Sequence, residues 1–192
     1  MIDKKNITGI ILAGGKSSRM GTDKGFLSHN NKPFITHIIN ALKPLVTETI
    51  IVSDLKRYDT FGLKRITDTI KNAGPLAGIY SGLKTSKTTY NLVLSCDIPL
   101  IKTKVLKQLL EAAENDFDII QAKSKDRSMP LIALYKKSCA SIFDKLLRNG
   151  ERRMTIAVNS CNSKTIILNT EDDIYTTNIN TPKQLKTLSL CK

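Results

Sequence analysis

An α/β three-layer sandwich, formed by a single domain over residues 1–192, is the fold class this sequence predicts, on two observations. Short β-branched apolar runs alternate with segments whose apolar residues recur at helical spacing, so strand and helix follow one another along most of the chain. The first run, ITGIIL, stops at Gly14-Gly15, as a buried strand does on reaching a sheet edge. Such alternation predicts a mostly parallel sheet with right-handed crossovers and helices on its faces.

The elements read as follows. Ile7–Leu12 is the first strand. Pro33 opens a helix over FITHIINALKPL (34–45), whose apolar residues keep helical period. Glu48–Ser53 and the shorter Leu63–Thr67 are strands, and GPLAGIYSGLKTS (74–86) is a helix with Pro75 at a favoured first-turn position. Asn91–Asp97 is a buried strand stopped by Pro99, and Lys104–Glu114 an amphipathic helix. Asp118–Lys123 and Pro130–Tyr135 are strands, and Ser138–Gly150 is a helix closed by glycine. Lys164–Asn169 is a late strand, and Thr181 caps a final helix with Pro182 at its first position.

Bulk properties bound the function. The composition, 41% hydrophobic and 24% charged, is that of an ordinary globular chain, long enough to need no disulfide or metal staple. Cys96, Cys139, Cys161 and Cys191 are scattered without CxxC spacing, which excludes the usual zinc patterns and predicts reduced thiols in a cytoplasmic protein. No signal-peptide core or apolar stretch of membrane-spanning length is present. The net charge of +13 favours anionic partners. It is mostly lysine spread along the chain, as in KTKVLK (102–107), and is read as solvated helix faces rather than a nucleic-acid surface. Five Phe, five Tyr and no Trp leave little for base stacking. His29 is read as a loop residue, His37 as a helix residue near the core, and Glu171-Asp172-Asp173 as a solvated turn.

In a parallel sheet ligands gather at the carboxyl ends of the strands. That puts Gly14-Gly15, Ser53, Asp68 and Asp97 along one edge. The loop LAGGKSSRMGTDK (12–24) matches neither GxxxxGK[ST] nor GxGxxG. Its glycines let backbone approach a ligand, and Arg19 and Lys24 can neutralise phosphates; a plain turn with solvated cations explains the same residues. Asp97, in SCDIPL, suits Mg²⁺, which takes one or two carboxylates plus substrate phosphates, although a turn aspartate would look the same. Cys96 reads as an inert packed thiol. Gly74 and Gly78 permit either a ligand or close helix packing, and Asp68 can accept hydrogen bonds from a nucleoside. GERRMT (150–155) offers two arginines for a second anion, and Asn178 and Asn180 offer amides on an irregular segment.

Taken together, LAGGKSSRMGTDKG, GPLAGI, SCDIPL, MPLIALY, GERRM and NINTPKQL, in that order, resemble the molybdenum cofactor guanylyltransferase family, within the nucleotidyltransferases that have a Rossmann-like sheet. The resemblance covers most of the chain. It implies transfer of GMP from GTP to molybdenum-molybdopterin with release of pyrophosphate. Leu12, Ala13, Gly14, Gly15 and Gly21 would then line the GTP site, and Arg19 and Lys24 would hold the triphosphate. Asp97 would bind Mg²⁺, Asp68, Gly74 and Gly78 would lie near guanine and ribose, and Arg153, Asn178 and Asn180 would serve the pterin. The second strand ends in Ser53 where family members often carry Asn, a departure at a base contact. The implied nucleophile, a phosphate monoester oxygen, is already anionic, so no catalytic triad is required. Expected partners are the two substrates and, transiently, proteins that deliver or accept the cofactor, with a monomer that binds neither nucleic acid nor membrane. The rivals are a cytidylyltransferase or another nucleotidyltransferase for a phosphorylated small molecule and, from a different class, a non-catalytic basic nucleotide- or nucleic-acid-binding module.

Overall fold

The computed structural model describes residues 2–14, 23–114 and 116–190, without the side chains of 189 and 190. β1 (Ile7–Leu12) is followed by a two-stranded hairpin, β2 (Ser28–His29) and β3 (Lys32–Pro33), and by α1 (Phe34–Leu42). Then come β4 (Glu48–Val52), β5 (Lys64–Ile66), α2 (Gly74–Thr85), β6 (Tyr90–Ser95) and α3 (Thr103–Glu111). β7 (Ile119–Ser124), β8 (Arg127–Lys136), α4 (Cys139–Arg148), α5 (Met154–Asn159), β9 (Ser163–Ile167) and α6 (Pro182–Leu190) complete the chain. The seven-stranded sheet has the order β5-β4-β1-β6-β8-β7-β9.

The three layers follow from alternation along the strands. Ile7 and Ile11 of β1 and Leu92 and Leu94 of β6 face a core with α1 and α3, built from Ile35, Ile38, Leu106 and Leu109. Ile10 and Val93 face the opposite core with Leu76 and Tyr80 of α2, Phe143 of α4 and Ala157 of α5. β1 and β6 are buried on both faces, so they appear in the sequence as nearly unbroken apolar runs.

The sheet is mostly parallel, as the sequence predicts, with one strand reversed. β8 pairs antiparallel with both β6 and β7, while the other pairs in this sheet are parallel. The reason is local. β7 and β8 are joined at Lys125-Asp126, both at positive φ, a tight reversal with no room for a crossover helix. The acidic run needs a correction: Asp172 is 3% exposed, pairs with Lys104 at 2.5 Å and accepts from Gln108 at 2.9 Å, and Asp173 accepts from Ser124 at 2.6 Å. These carboxylates tie the turn at Thr170–Thr176 to α3 and β7 instead of facing solvent. His29 lies in β2 rather than in a loop, and its carbonyl is 2.8 Å from Nε2 of His37 on α1.

The carboxyl ends of β5, β4, β1 and β6 are held level by backbone bonds that run one step beyond the strands. Ser53 N–H donates to Ile66 O at 2.8 Å, Ala13 N–H to Val52 O at 2.9 Å and Cys96 N–H to Leu12 O at 3.0 Å. Among the described residues no helix is long and apolar enough to cross a membrane.

Candidate active site

The site is built around Asp97, two residues beyond β6 and 8% exposed. Ser95 Oγ donates to Asp97 Oδ1 at 2.7 Å, and Asn178 Nδ2 donates to the same oxygen at 2.9 Å. Lys24 Nζ lies 3.2 Å from Oδ2 and also bonds the amide oxygen of Asn180. Residues 24, 97, 178 and 180 therefore meet from three remote parts of the chain.

The C-terminal segment reaches this point for a simple reason. Ile179 N–H donates to the Asp97 carbonyl at 2.8 Å, and its side chain is buried beside Phe34 and Leu188. In an extended segment alternate side chains share a side, so Asn178 and Asn180 both turn towards Asp97 and Lys24. A capping box then fixes the exit: Gln184 N–H donates to Thr181 Oγ1 at 3.2 Å while Gln184 Oε1 accepts from the backbone of Asn180 and Thr181 at 2.7 and 3.1 Å.

On the β4–β5 side lies a second polar feature. Asp68 Oδ1 is buried without a hydrogen-bond partner. Burial, with the nearby Asp54 charge adding to it, pushes the Asp68 carboxyl up to about 6. An orphaned buried acceptor is uncommon, and it marks a place where a ligand donor is wanted. Gly78 faces inward here: a Cβ would lie 3.1 Å from Leu12 Cδ2 and 3.5 Å from Asp68 Oδ1, so its smallness serves the packing of α2 on β1 and Asp68. Gly74, with φ +70, opens α2 in exposed backbone, and Gly14 is exposed just past buried Ala13. Gly15, Arg19 and Gly21 lie outside the described residues. The Ser53 hydroxyl is occupied, accepting from Leu55 N–H at 3.2 Å.

Beyond Asp97, on the β8 side, is a cavity of about 280 Å³ lined by residues that include Ser95, Ile98, Arg127, Met129, Met154 and Asn178. Ser95 and Asn178 thus hold the Asp97 carboxylate and also line this cavity. Arg153 precedes Met154 but is engaged elsewhere: its Nη2 lies 2.7 Å from Glu151 Oε2. That guanidinium, with two backbone N–H donors, holds the Glu151 carboxyl down at about 2. Burial, with the Asp97 charge beside it, pushes the Cys96 thiol up to about 12, the state of an inert packed cysteine.

Among the described residues no group of three His, Cys, Asp or Glu side chains could hold a metal ion by itself. What exists is an oxygen pair, the Asp97 carboxylate and the Asn180 amide oxygen, converging on one cationic group. A hard cation that takes one carboxylate and completes its shell with phosphate oxygens and water suits such a set. Sequence reasoning singled out Lys24, Asp97, Asn178 and Asn180 but not Ser95, or the carboxylate of Asp23 beside Lys24. Asp23 had a signal in its place directly before the lysine, as a short polar side chain able to cap a turn.

The model of the MobA-like NTP transferase domain matches residues 9–163. A probable molybdenum cofactor guanylyltransferase of Flavobacterium johnsoniae is 34% identical over 186 residues, 97% of this chain and 98% of that protein. A protein of the same name from Clostridium perfringens is 43% identical over 145 residues, 75% of this chain and 73% of its own length. In fold, the chain superposes with a TM-score of 0.80 on molybdopterin-guanine dinucleotide biosynthesis protein A of Archaeoglobus fulgidus, at 24% identity and covering 95% and 97% of the two chains. With the family model matching most of the sequence and relatives above 30% identity covering nearly all of it, the chain belongs to the MobA-like NTP transferase family and is a nucleotidyltransferase.

Proposed function

We propose that this enzyme transfers GMP from GTP to molybdenum-molybdopterin, releasing pyrophosphate. The observation that carries the reading is the place of Asp97, between a strand-end edge where Asp68 has one buried, unpartnered oxygen and a cavity lined by Asp97's own hydrogen-bond donors. Two substrates entering from opposite sides would meet at that carboxylate. Leu12, Ala13, Gly14 and Gly74 line the nucleotide side, Asp68 receives guanine donors, and Lys24 holds the triphosphate; Gly15, Arg19 and Gly21, outside the described residues, are assigned to the same nucleotide by the family resemblance. The pterin lies in the cavity, served by Asn178 and Asn180; Arg153, paired with Glu151, reaches it only on leaving that partner.

The acceptor's phosphate monoester oxygen attacks the α-phosphorus, and the bond from that phosphorus to the β-phosphate oxygen breaks. The attacking oxygen is already anionic, so no side chain has to remove a proton. Lys24 neutralises charge on the departing pyrophosphate, and the protein's main contribution is positioning and charge. Once the Lys24 ammonium has moved from them to the phosphates, the oxygens of Asp97 and Asn180 would hold Mg²⁺, which when bound supplies further neutralisation around the phosphates. We take the enzyme to act as a cytoplasmic monomer that meets cofactor-delivering or accepting proteins transiently.

Pyrophosphate release with molybdenum-loaded molybdopterin, Mg²⁺ and either GTP, CTP or ATP tests the reading. Turnover with GTP alone is expected; a preference for CTP or ATP would remove the guanine assignment.

A pH dependence follows from Asp68. Protonated below about 6, it no longer accepts guanine donors, so GTP affinity is expected to weaken by up to about tenfold per pH unit as pH falls through that value. For folding the sign is opposite. A carboxyl raised from 3.8 favours the folded state at low pH, and that contribution is lost as pH rises towards about 6. Asp68→Asn should flatten the GTP-affinity profile by titration calorimetry, with GTP's own ionisation common to both proteins. An unchanged profile would dismiss Asp68 as the base contact.

A further inference from the structure

Lys24 can act only if its backbone is fixed, and the fixing groups meet the chain at its two neighbours, Asp23 and Gly25. Lys24 opens a 3-10 turn (Lys24–Phe26) whose N-cap is Asp23. The Asp23 carboxylate, with a side chain 10% exposed, is fully engaged. Its Oδ1 accepts from Gly25 N–H at 3.2 Å and from the Tyr58 hydroxyl at 2.6 Å. Its Oδ2 receives Arg57 through Nη2 at 2.6 Å and Nε at 3.2 Å. Tyr58 is completely buried, and burial raises its phenol above the ordinary value, so it remains a donor throughout the neutral range. The Arg57 guanidinium lies 4.4 Å from the centroid of Phe26, the last residue of the turn, and Phe26 packs on Tyr58 at 4.9 Å between ring centroids.

The residue after Lys24 is locked to the same hydroxyl. A Cβ on Gly25 would fall 2.2 Å from Tyr58 Oη, so Tyr58 touches the chain on both sides of Lys24. Held at 23 and at 25, the lysine has a set departure point, and its ammonium arrives on Asp97 and Asn180.

We propose that Tyr58 and Arg57 are positioning residues of the transfer reaction, holding Asp23 so that Lys24 is delivered to Asp97 and to the nucleotide's phosphates. The inference rests on the reading of Lys24 as the triphosphate ligand. Neither residue touches substrate. Both act through one carboxylate, whose charge-assisted hydrogen bonds are stronger and more directional than neutral ones.

The test measures turnover together with the binding of GTP and GMP, in the full chain, for wild type, Tyr58→Phe, Lys24→Ala and the double variant. Tyr58→Phe keeps the buried ring and deletes one hydrogen bond to a charged group, so kcat is expected to fall about tenfold. GTP should bind more weakly and GMP as in wild type, because only the outer phosphates report on Lys24. On the Lys24→Ala background the same substitution should weaken GTP no further, since coupled residues do not add. Arg57→Ala alters a half-exposed side chain and repeats the comparison if Tyr58→Phe does not fold; Arg57→Lys, which restores the charge, should recover part of the loss. Wild-type kcat in Tyr58→Phe, equal weakening of GTP and GMP, or the same weakening on the Lys24→Ala background would overturn the inference and leave the reading of Lys24 intact. If Lys24→Ala binds GTP as tightly as wild type, the reading itself falls, and the inference with it.

Discussion

Asp97→Asn is expected to lower turnover about a hundredfold while the protein stays folded, the scale seen when a preorganised charge-stabilising group is lost from an active site. The substitution is nearly isosteric, so the steric demand on β6 and on Ile98 is unchanged. The hydrogen-bond pattern is not. Oδ1 accepts from Ser95 and Asn178, and Oδ2 faces the Lys24 ammonium, so each carboxylate oxygen already faces donors. An amide NH₂ on either side sets donor against donor. Rotation cannot resolve this, since both sides are donor-lined. The negative charge that gathers Lys24 is lost together with the anionic ligand for a hard cation. Steady-state pyrophosphate release, with a thermal melt beside it, measures the effect; turnover equal to wild type would remove Asp97 from the chemistry.

What the sequence revealed divides along physical lines. β1, β4 and β6 are central parallel strands, and burial on both faces makes them unbroken apolar runs that need no partner to be recognised. The strand-end edge followed from those boundaries, because Asp68 and Asp97 each stand two residues past a strand. The direction of β8 did not follow. Pairing sense is a long-range property, and an apolar run carries no arrow. α5, six residues long, was too short for helical periodicity to register. The acidic run reads as a solvated turn because charge patterning reports composition, whereas the neighbours that bury Asp172 come from α3, more than sixty positions earlier in the chain. Asn178 and Asn180 were noticed as amides, but their meeting with Asp97 and Lys24 depends on the backbone bond from Ile179 to Asp97 and on the α6 cap. Nothing in the sequence marks Tyr58, since a tyrosine in a polar stretch says nothing of the carboxylate 35 residues away that its hydroxyl meets.

Gly25→Ala is expected to cost about as much turnover as Lys24→Ala, although it changes one hydrogen to a methyl group and touches no substrate. The added Cβ falls 2.2 Å from Tyr58 Oη and 3.0 Å from two of its ring carbons, and something must shift. Tyr58 cannot swing aside as a flexible chain would. It is a rigid ring with no exposed surface, packed against Phe26 and held to Asp23. The turn must move instead, and Lys24 moves with it. Gly9→Ala, in the middle of β1 and away from the site, is the control. Its Cβ would meet the Leu42 methyl at 3.1 Å, the far end of a side chain that can rotate, so kcat of the folded protein is expected to stay near wild type. Overpacking at a rigid site costs about 1–3 kcal/mol. In a chain of this size that lowers the melting temperature by about 5 °C. Turnover is therefore compared well below the melt, where both variants are folded. Lost stability alone would leave the folded fraction fully active, whereas a displaced lysine lowers kcat at every temperature. Wild-type kcat in folded Gly25→Ala would show that the ammonium reaches its place without the lock on the residue that follows it.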